Sequence, residues 1–179
     1  YVSSIPSIQV PYIYVRGNHD SIAIESAVAA QPNARVLDNA VTTVNGLSIA
    51  GIGDPEFTPD KSEQPPAAGD ADDPSASPLL RAGDTLAATV VNAPGKVGVA
   101  LVHDPAMAPP LAGTVPLVLS GHLHRRDVRM LPAPEVVPES SSAPTPSPSP
   151  GAPPSPDAPP ETRLMVQGST GGAGLRGLE

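Results

Sequence analysis

The chain has 179 residues, no cysteine and a formal net charge of −8. Adjacent basic residues occur only as Arg125-Arg126, which argues against a nucleic-acid partner, because binding to its backbone rests on clustered lysine and arginine. The lack of cysteine excludes disulfides, cysteine-ligated zinc and a thiol nucleophile, and no apolar stretch approaches the length of a membrane span. Aromatic residues make up 2% of the chain, so Val, Leu, Ile and Ala have to build its core.

The first elements alternate between strand and helix patterns. Residues 8–15 are rich in Val, Ile and Tyr and predict a strand that stops at Gly17. A helix is expected over residues 22–30, with Asp20 or Ser21 as its N-cap. This order of elements is typical of an α/β fold.

A hairpin and a second helix follow. Asn45-Gly46 separates two apolar runs, 41–44 and 47–52, and this dipeptide is the strongest short-range indication of a hairpin. A helix is expected over residues 79–91. Short apolar runs then predict further strands at 97–102, 115–119, 128–131 and 162–167.

Two stretches are too poor in large apolar residues to pack. Residues 55–78 are acidic and small, and residues 132–160 are dominated by Pro, Ser, Ala and Glu. Neither can bury enough apolar surface to offset its ordering entropy. We expect both to be disordered insertions within one domain that covers residues 1–179, the second lying between two adjacent strands.

All four histidines of the chain lie in three short motifs. These are Gly17-Asn18-His19-Asp20, Val102-His103-Asp104 and Gly121-His122-Leu123-His124. Each motif follows an apolar run, where an α/β sheet presents ligands at one edge, and histidine is the commonest metal ligand and general acid/base. Taken singly, the second motif is more typical of a structural ion pair and the third of an exposed turn. Together they indicate a site.

The ordered set of motifs resembles that of the calcineurin-like metallophosphoesterases. The resemblance implies an α/β fold, a two-sheet β-sandwich flanked by helices, and hydrolysis of a phosphomonoester or phosphodiester by metal-bound hydroxide. It also implies two metal ions, of Mn, Fe or Zn. Asn18, His103 and His122 would bind one ion and His124 the other, while His19 would protonate the leaving-group oxygen.

The sequence departs from this family in one respect. The family carries Asp-x-His and Gly-Asp-x-x-Asp on its first strands, and neither motif occurs ahead of Gly17. Because the sequence opens at Tyr1 rather than Met, we expect those strands to be missing from this piece, which should be inactive or nearly so alone. Membrane attachment could come only from such an upstream part. A cytoplasmic parent is the other expectation, and residue usage favours a bacterial source.

Several alternatives stay open at this stage. The runner-up to an enzyme is a non-catalytic binding or scaffold protein on a degenerate phosphoesterase fold, with the Pro-rich stretch as its interaction tract. Asp20 is expected to be a helix cap rather than a catalytic group, and Asp54 to form a loop-entry turn. Arg125-Arg126 is expected to be a solvated pair, and residues 168–174 a strand-end loop. The sequence leaves the oligomeric state open.

Overall fold

The computed structural model describes residues 2–56, 77–132 and 160–168. Most of the two expected insertions, at 55–78 and 132–160, lies outside these residues. The strands are β1 (Tyr12–Tyr14), β2 (Ala34–Val36), β3 (Ala40–Val44), β4 (Leu47–Gly51), β5 (Val99–Leu101), β6 (Leu117–Ser120), β7 (Asp127–Met130) and β8 (Arg163–Val166). The α-helices are α1 (Ile22–Ala29) and α2 (Pro78–Val91), and 3₁₀ turns span Val2–Ser7, Pro105–Met107 and Pro109–Leu111.

The first strand is shorter than the apolar run predicted. Its first ladder bond runs from Tyr12 N to Asn33 O, at 2.8 Å, and Pro11 before it has no N–H to donate. The Asn33 side-chain amide also donates to the carbonyls of Ile5 and Ile8, at 2.9 and 2.8 Å. These bonds hold the preceding chain in a 3₁₀ turn and away from the sheet.

The helix and hairpin predictions are confirmed. Ser21, rather than Asp20, caps α1, because its Oγ accepts a hydrogen bond from Ile24 N at 3.3 Å. Asn45 and Gly46 both have positive φ, 50° and 83°, as a two-residue hairpin between β3 and β4 requires. Local sequence therefore determined both features.

The strands form a six-stranded mixed sheet and a two-stranded parallel sheet. The larger sheet has the order β3-β4-β5-β6-β8-β7, in which β4, β5, β6 and β8 are parallel and β3 and β7 are antiparallel edges. The expected α/β class is confirmed. Residues 133–159 connect β7 to its paired neighbour β8, so the Pro-rich stretch does lie between adjacent strands.

The two faces of the larger sheet are covered differently. Helix α2 packs on one face, where Leu86 and Val90 join a core that includes Val118 and Leu164. The β1-β2 sheet packs on the opposite face, where a smaller apolar cluster joins β1, the residue after β2, and β4 to β6. The two sheets lie close together here, since a Cβ on Gly51 would lie 2.7 Å from the Val15 side chain. This packing brings the end of β1 over the ends of β4 and β5.

No helix in the described parts of the chain combines the length and apolarity needed to cross a membrane.

Candidate metal centre

The three histidine motifs meet where β1, β5 and β6 end. Because β5 and β6 are parallel neighbours, the motifs that follow them leave the sheet at the same edge. Their backbones are joined directly, since Gly121 N and Ser120 Oγ each donate to His103 O at 3.0 Å. The motif after β1 arrives from the other sheet and places Asn18 against them.

Three of the predicted ligands lie in contact. Asn18 Oδ1 is 3.0 Å from His103 Nε2, and His103 Nε2 is 3.3 Å from His122 Nδ1. The two imidazoles meet edge to face, with centroids 5.2 Å apart and planes at 82°. Each of these side chains is partly buried, so in a half-enclosed site the His103 nitrogen contacts both an amide oxygen and a second imidazole nitrogen.

These separations fit ligands of a single metal ion. Bonds of about 2.1 Å to nitrogen or oxygen place two ligands about 3.0 Å apart at a right angle and about 3.4 Å apart at the tetrahedral angle. The observed 3.0 and 3.3 Å fall in this interval. The donor set of one amide and two imidazoles can therefore hold one ion and leave its other positions for water or substrate.

The other two predicted residues lie outside this contact set. His19 and His124 are both exposed, although His19 is close enough for its charge to lower the pKa of His103. Within residues 2–56, 77–132 and 160–168, no group of three or more His, Cys, Asp or Glu side chains is placed so that it could hold a metal ion. The assignments of His124 to a second ion and of His19 to acid catalysis therefore remain predictions.

The turns that carry the proposed ligands depend on two histidines and one glycine. His122 and His124 have positive φ, 63° and 52°, a backbone region that few non-glycine residues adopt. Gly17 is required for a different reason, since a Cβ there would lie 3.0 Å from Cε1 and Nδ1 of His103. The third motif is therefore shaped by its own histidines, and the first by its approach to His103.

Asp20 is not the helix cap that the sequence predicted. Its Oδ2 accepts a hydrogen bond from Gly17 N at 3.0 Å, and its own N–H donates to Gly17 O at 3.1 Å. The side chain thus closes the Asn18-His19 turn, while Ser21 caps the helix. Asp20 could not do both, because its carboxylate is directed back toward the turn.

The electrostatics of the site favour neutral imidazole at His103. Burial lowers the pKa of His103 below its usual value, and the neighbouring His122 lowers it further. Both effects disfavour the protonated ring. Since only an unprotonated nitrogen can bind a metal, the ring is kept in a form that can serve as a ligand.

Two carboxylates that the sequence left without a metal-site role also adjoin the cluster. Asp104 Oδ2 lies 3.3 Å from His122 Nε2. Asp54 is 1% exposed and forms the expected turn, with Oδ1 accepting from Glu56 N at 2.8 Å. The sequence contained an indication of both, because each acid comes within a few residues of the end of a strand, as the proposed ligands do.

The partly buried Arg16 links the first motif to the larger sheet. Asp54 N donates to Arg16 O at 2.9 Å, and the Arg16 guanidinium donates to Asp54 O at 3.4 Å. The same guanidinium lies 3.4 Å from Glu25 of α1. Because Arg16 precedes Asn18 by two residues, these contacts set where the amide meets the histidines.

Asp54→Asn is expected to stabilise the metal-free fold at neutral pH. Burial raises the pKa of the Asp54 carboxyl above its ordinary value of 3.8, so the folded chain binds this proton more tightly than the unfolded chain. Stability therefore falls as the pH rises from about 4 through the higher folded pKa. The variant lacks that loss and should be more stable than the unaltered chain at neutral pH, with no gain in acid below about pH 4.

Urea unfolding in the presence of a chelator measures this difference. Asp84→Asn is the matched control, because Asp84 is exposed on α2 and its substitution removes the same charge. An Asp54→Asn chain no more stable than the control at neutral pH would contradict the expectation.

Comparison of the chain with protein-family models, curated proteins and solved structures gives no match.

Proposed function

We propose that this chain carries part of the catalytic centre of a metal-dependent phosphoesterase of the calcineurin-like kind. The observation that carries the proposal is the contact of His103 Nε2 with Asn18 Oδ1 at 3.0 Å and with His122 Nδ1 at 3.3 Å. These are the residues that the motif resemblance assigns to one ion. An amide oxygen with two imidazoles suits Mn, Fe or Zn.

The arrangement of the sheets supports the same proposal. A two-sheet phosphoesterase sandwich would place its ligands on loops at one edge of facing sheets, with helices outside. Here β1-β2 packs on one face of the six-stranded sheet and α2 on the other. The ligands come from both sheets, so their contact depends on this packing.

The roles of the residues follow from their positions. When bound, the ion would supply a Lewis acid for a phosphoryl oxygen and lower the pKa of a water molecule. Asn18, His103 and His122 would hold it, with His103 kept neutral by burial. His19 is exposed beside them, so its ring is accessible to a substrate and can give a proton to the leaving-group oxygen of a phosphomonoester or phosphodiester.

A second ion would need ligands beyond these. We propose His124 for it, together with carboxylates of the Asp-x-His and Gly-Asp-x-x-Asp type, which do not precede Gly17. A two-ion centre holds the attacking and leaving oxygens of an in-line displacement together. We therefore propose that this chain by itself turns over phosphoesters slowly or not at all.

Metal-dependent binding of inorganic phosphate tests the proposal without requiring turnover. We expect the chain to bind Mn²⁺ with a stoichiometry of about one. Phosphate should then approach the bound ion, and its ³¹P resonance should broaden beyond what the same free Mn²⁺ causes. An aryl phosphate assay of the same samples should show little or no turnover.

The possible outcomes separate the candidates. A chain that binds no Mn²⁺, Zn²⁺ or Co²⁺ would overturn the metal centre. Metal binding without phosphate binding would instead favour the non-catalytic binding or scaffold protein, whose Pro-rich tract lies outside the described residues. Turnover at the rate of a complete two-metal phosphoesterase would show that the chain needs no further ligands.

A further inference from the structure

The two carboxylate oxygens of Asp104 have separate partners. Oδ1 accepts a hydrogen bond from Ala106 N at 2.8 Å and caps the 3₁₀ turn Pro105–Met107. Oδ2 lies 3.3 Å from His122 Nε2. The backbone bond fixes the orientation of the carboxylate, because the oxygen bound to Ala106 N cannot also turn toward the ring. The second oxygen is thereby directed at one particular nitrogen of His122.

The position of each ring hydrogen follows from these contacts. In the metal-free chain Asn18 Oδ1 can only accept, so His103 Nε2 carries the hydrogen that lies between them. Binding of an ion at this nitrogen would require that hydrogen to move to Nδ1. His122 Nδ1, 3.3 Å from the same His103 Nε2, then has to be the unprotonated nitrogen. The hydrogen of His122 is therefore on Nε2, the nitrogen that lies 3.3 Å from the Asp104 carboxylate. A single tautomer of His122 satisfies all three contacts.

We propose that Asp104 is a positioning residue, which holds His122 in its Nε2-protonated tautomer so that the Nδ1 lone pair faces His103. As far as it concerns a metal ion, this inference rests on the proposed function. A carboxylate that accepts from the outer nitrogen of a ligating histidine fixes the ring and raises its basicity, and losing it typically weakens metal binding by about 10- to 100-fold. The alternative is that Asp104 only caps its 3₁₀ turn.

Two substitutions separate these roles. Asp104→Ser keeps a side-chain oxygen for the Ala106 N–H, since serine is a good cap, but leaves nothing to orient His122. In Asp104→Asn the amide oxygen is kept on Ala106 N, so the NH₂ group faces His122 Nε2. That group donates and favours a lone pair on Nε2, which places the hydrogen on Nδ1, the wrong nitrogen for a ligand. Asp84→Asn on the exposed side of α2 is the charge-matched control.

The deciding measurement is made on the metal-free chain. Long-range ¹⁵N–¹H correlation spectra of the imidazoles distinguish the two tautomers, and we expect Nε2–H for His122 in the unaltered chain and in Asp84→Asn. Asp104→Asn should shift His122 toward Nδ1–H, and Asp104→Ser should give a mixture. All variants should keep the same midpoint of thermal unfolding, because the cap is retained.

Metal titration of the same variants is the second measurement. We expect Zn²⁺ affinity to fall by about 10-fold in Asp104→Ser and by up to about 100-fold in Asp104→Asn. His122 in the Nδ1–H form in the unaltered chain, or unchanged tautomer and affinity in Asp104→Asn, would overturn the role of Asp104. Absence of metal binding by the unaltered chain would overturn the proposed function instead, and the tautomer spectra would still decide what Asp104 does.

Discussion

His103→Gln should remove almost all metal binding from this chain. His103 is the central donor, with Nε2 in contact with both Asn18 Oδ1 and His122 Nδ1. Glutamine has a similar reach but offers an amide oxygen, a weaker ligand for Co²⁺ or Zn²⁺ than imidazole. Removing an outer-shell partner costs about 10- to 100-fold in affinity, so loss of an inner ligand should exceed about 100-fold. The visible absorption of bound Co²⁺ during titration measures the loss.

The chain provides a matched control for this substitution. His124→Gln makes the same chemical change at an exposed residue outside the three-donor contact set, and it should leave the first equivalent of Co²⁺ bound as tightly as before. Circular dichroism should show that both variants keep the fold. Equal losses in the two variants would contradict the three-donor site, as would a His103→Gln chain that binds Co²⁺ normally.

Gly17→Ala should weaken metal binding without unfolding the chain. The added Cβ would lie 3.0 Å from Cε1 and Nδ1 of His103, so the ring has to move by a few tenths of an ångström from its place beside Asn18. Displacements well under 1 Å are costly at sites that depend on geometry, and we expect a loss of about tenfold or more in affinity. Alanine also reduces the entropy of the unfolded chain, which offsets part of the strain in the free energy of unfolding.

Gly95→Ala is the control for this second prediction. A Cβ on Gly95 meets nothing within 4 Å, so the variant carries the same backbone effect without a contact to His103. Calorimetric titration with Zn²⁺ and urea unfolding should be compared for both variants. If Gly17→Ala binds Zn²⁺ as tightly as Gly95→Ala does, the close approach of Gly17 to His103 has no part in positioning the ligands.

The elements that the sequence predicted correctly depend on local chemistry. Asn45-Gly46 specifies the hairpin because both residues accept positive φ. Helix α2 follows from apolar periodicity and from Ser77 at its N-cap. The strand expected from residue 8 failed, because Pro11 and the Asn33 side chain, 22 positions further on, hold that segment outside the sheet.

The sequence also predicted part of the candidate site and missed part of it. The positions of the three motifs after apolar runs indicated a site, and the family resemblance implied that Asn18, His103 and His122 share one ion. The structure places His103 in contact with the other two. The sequence could not show that Asp104 faces His122, since that contact depends on the positive φ of His122 and on the 3₁₀ turn that orients the carboxylate. It left Asp20 and Ser21 as alternative caps of α1, and Ser21 is the residue that caps the helix.

The sequence by itself determined the α/β class, the hairpin, the helices and the three motifs that carry the proposed ligands, because turn chemistry, capping and apolar periodicity act over a few residues. Only the tertiary structure decided that β8 lies between β6 and β7 and that the β1-β2 sheet packs on β4 and β5. It also decided which of the proposed ligands contact one another and which carboxylates lie beside these residues. Those outcomes depend on apolar contacts between residues far apart in the chain, which no local pattern encodes.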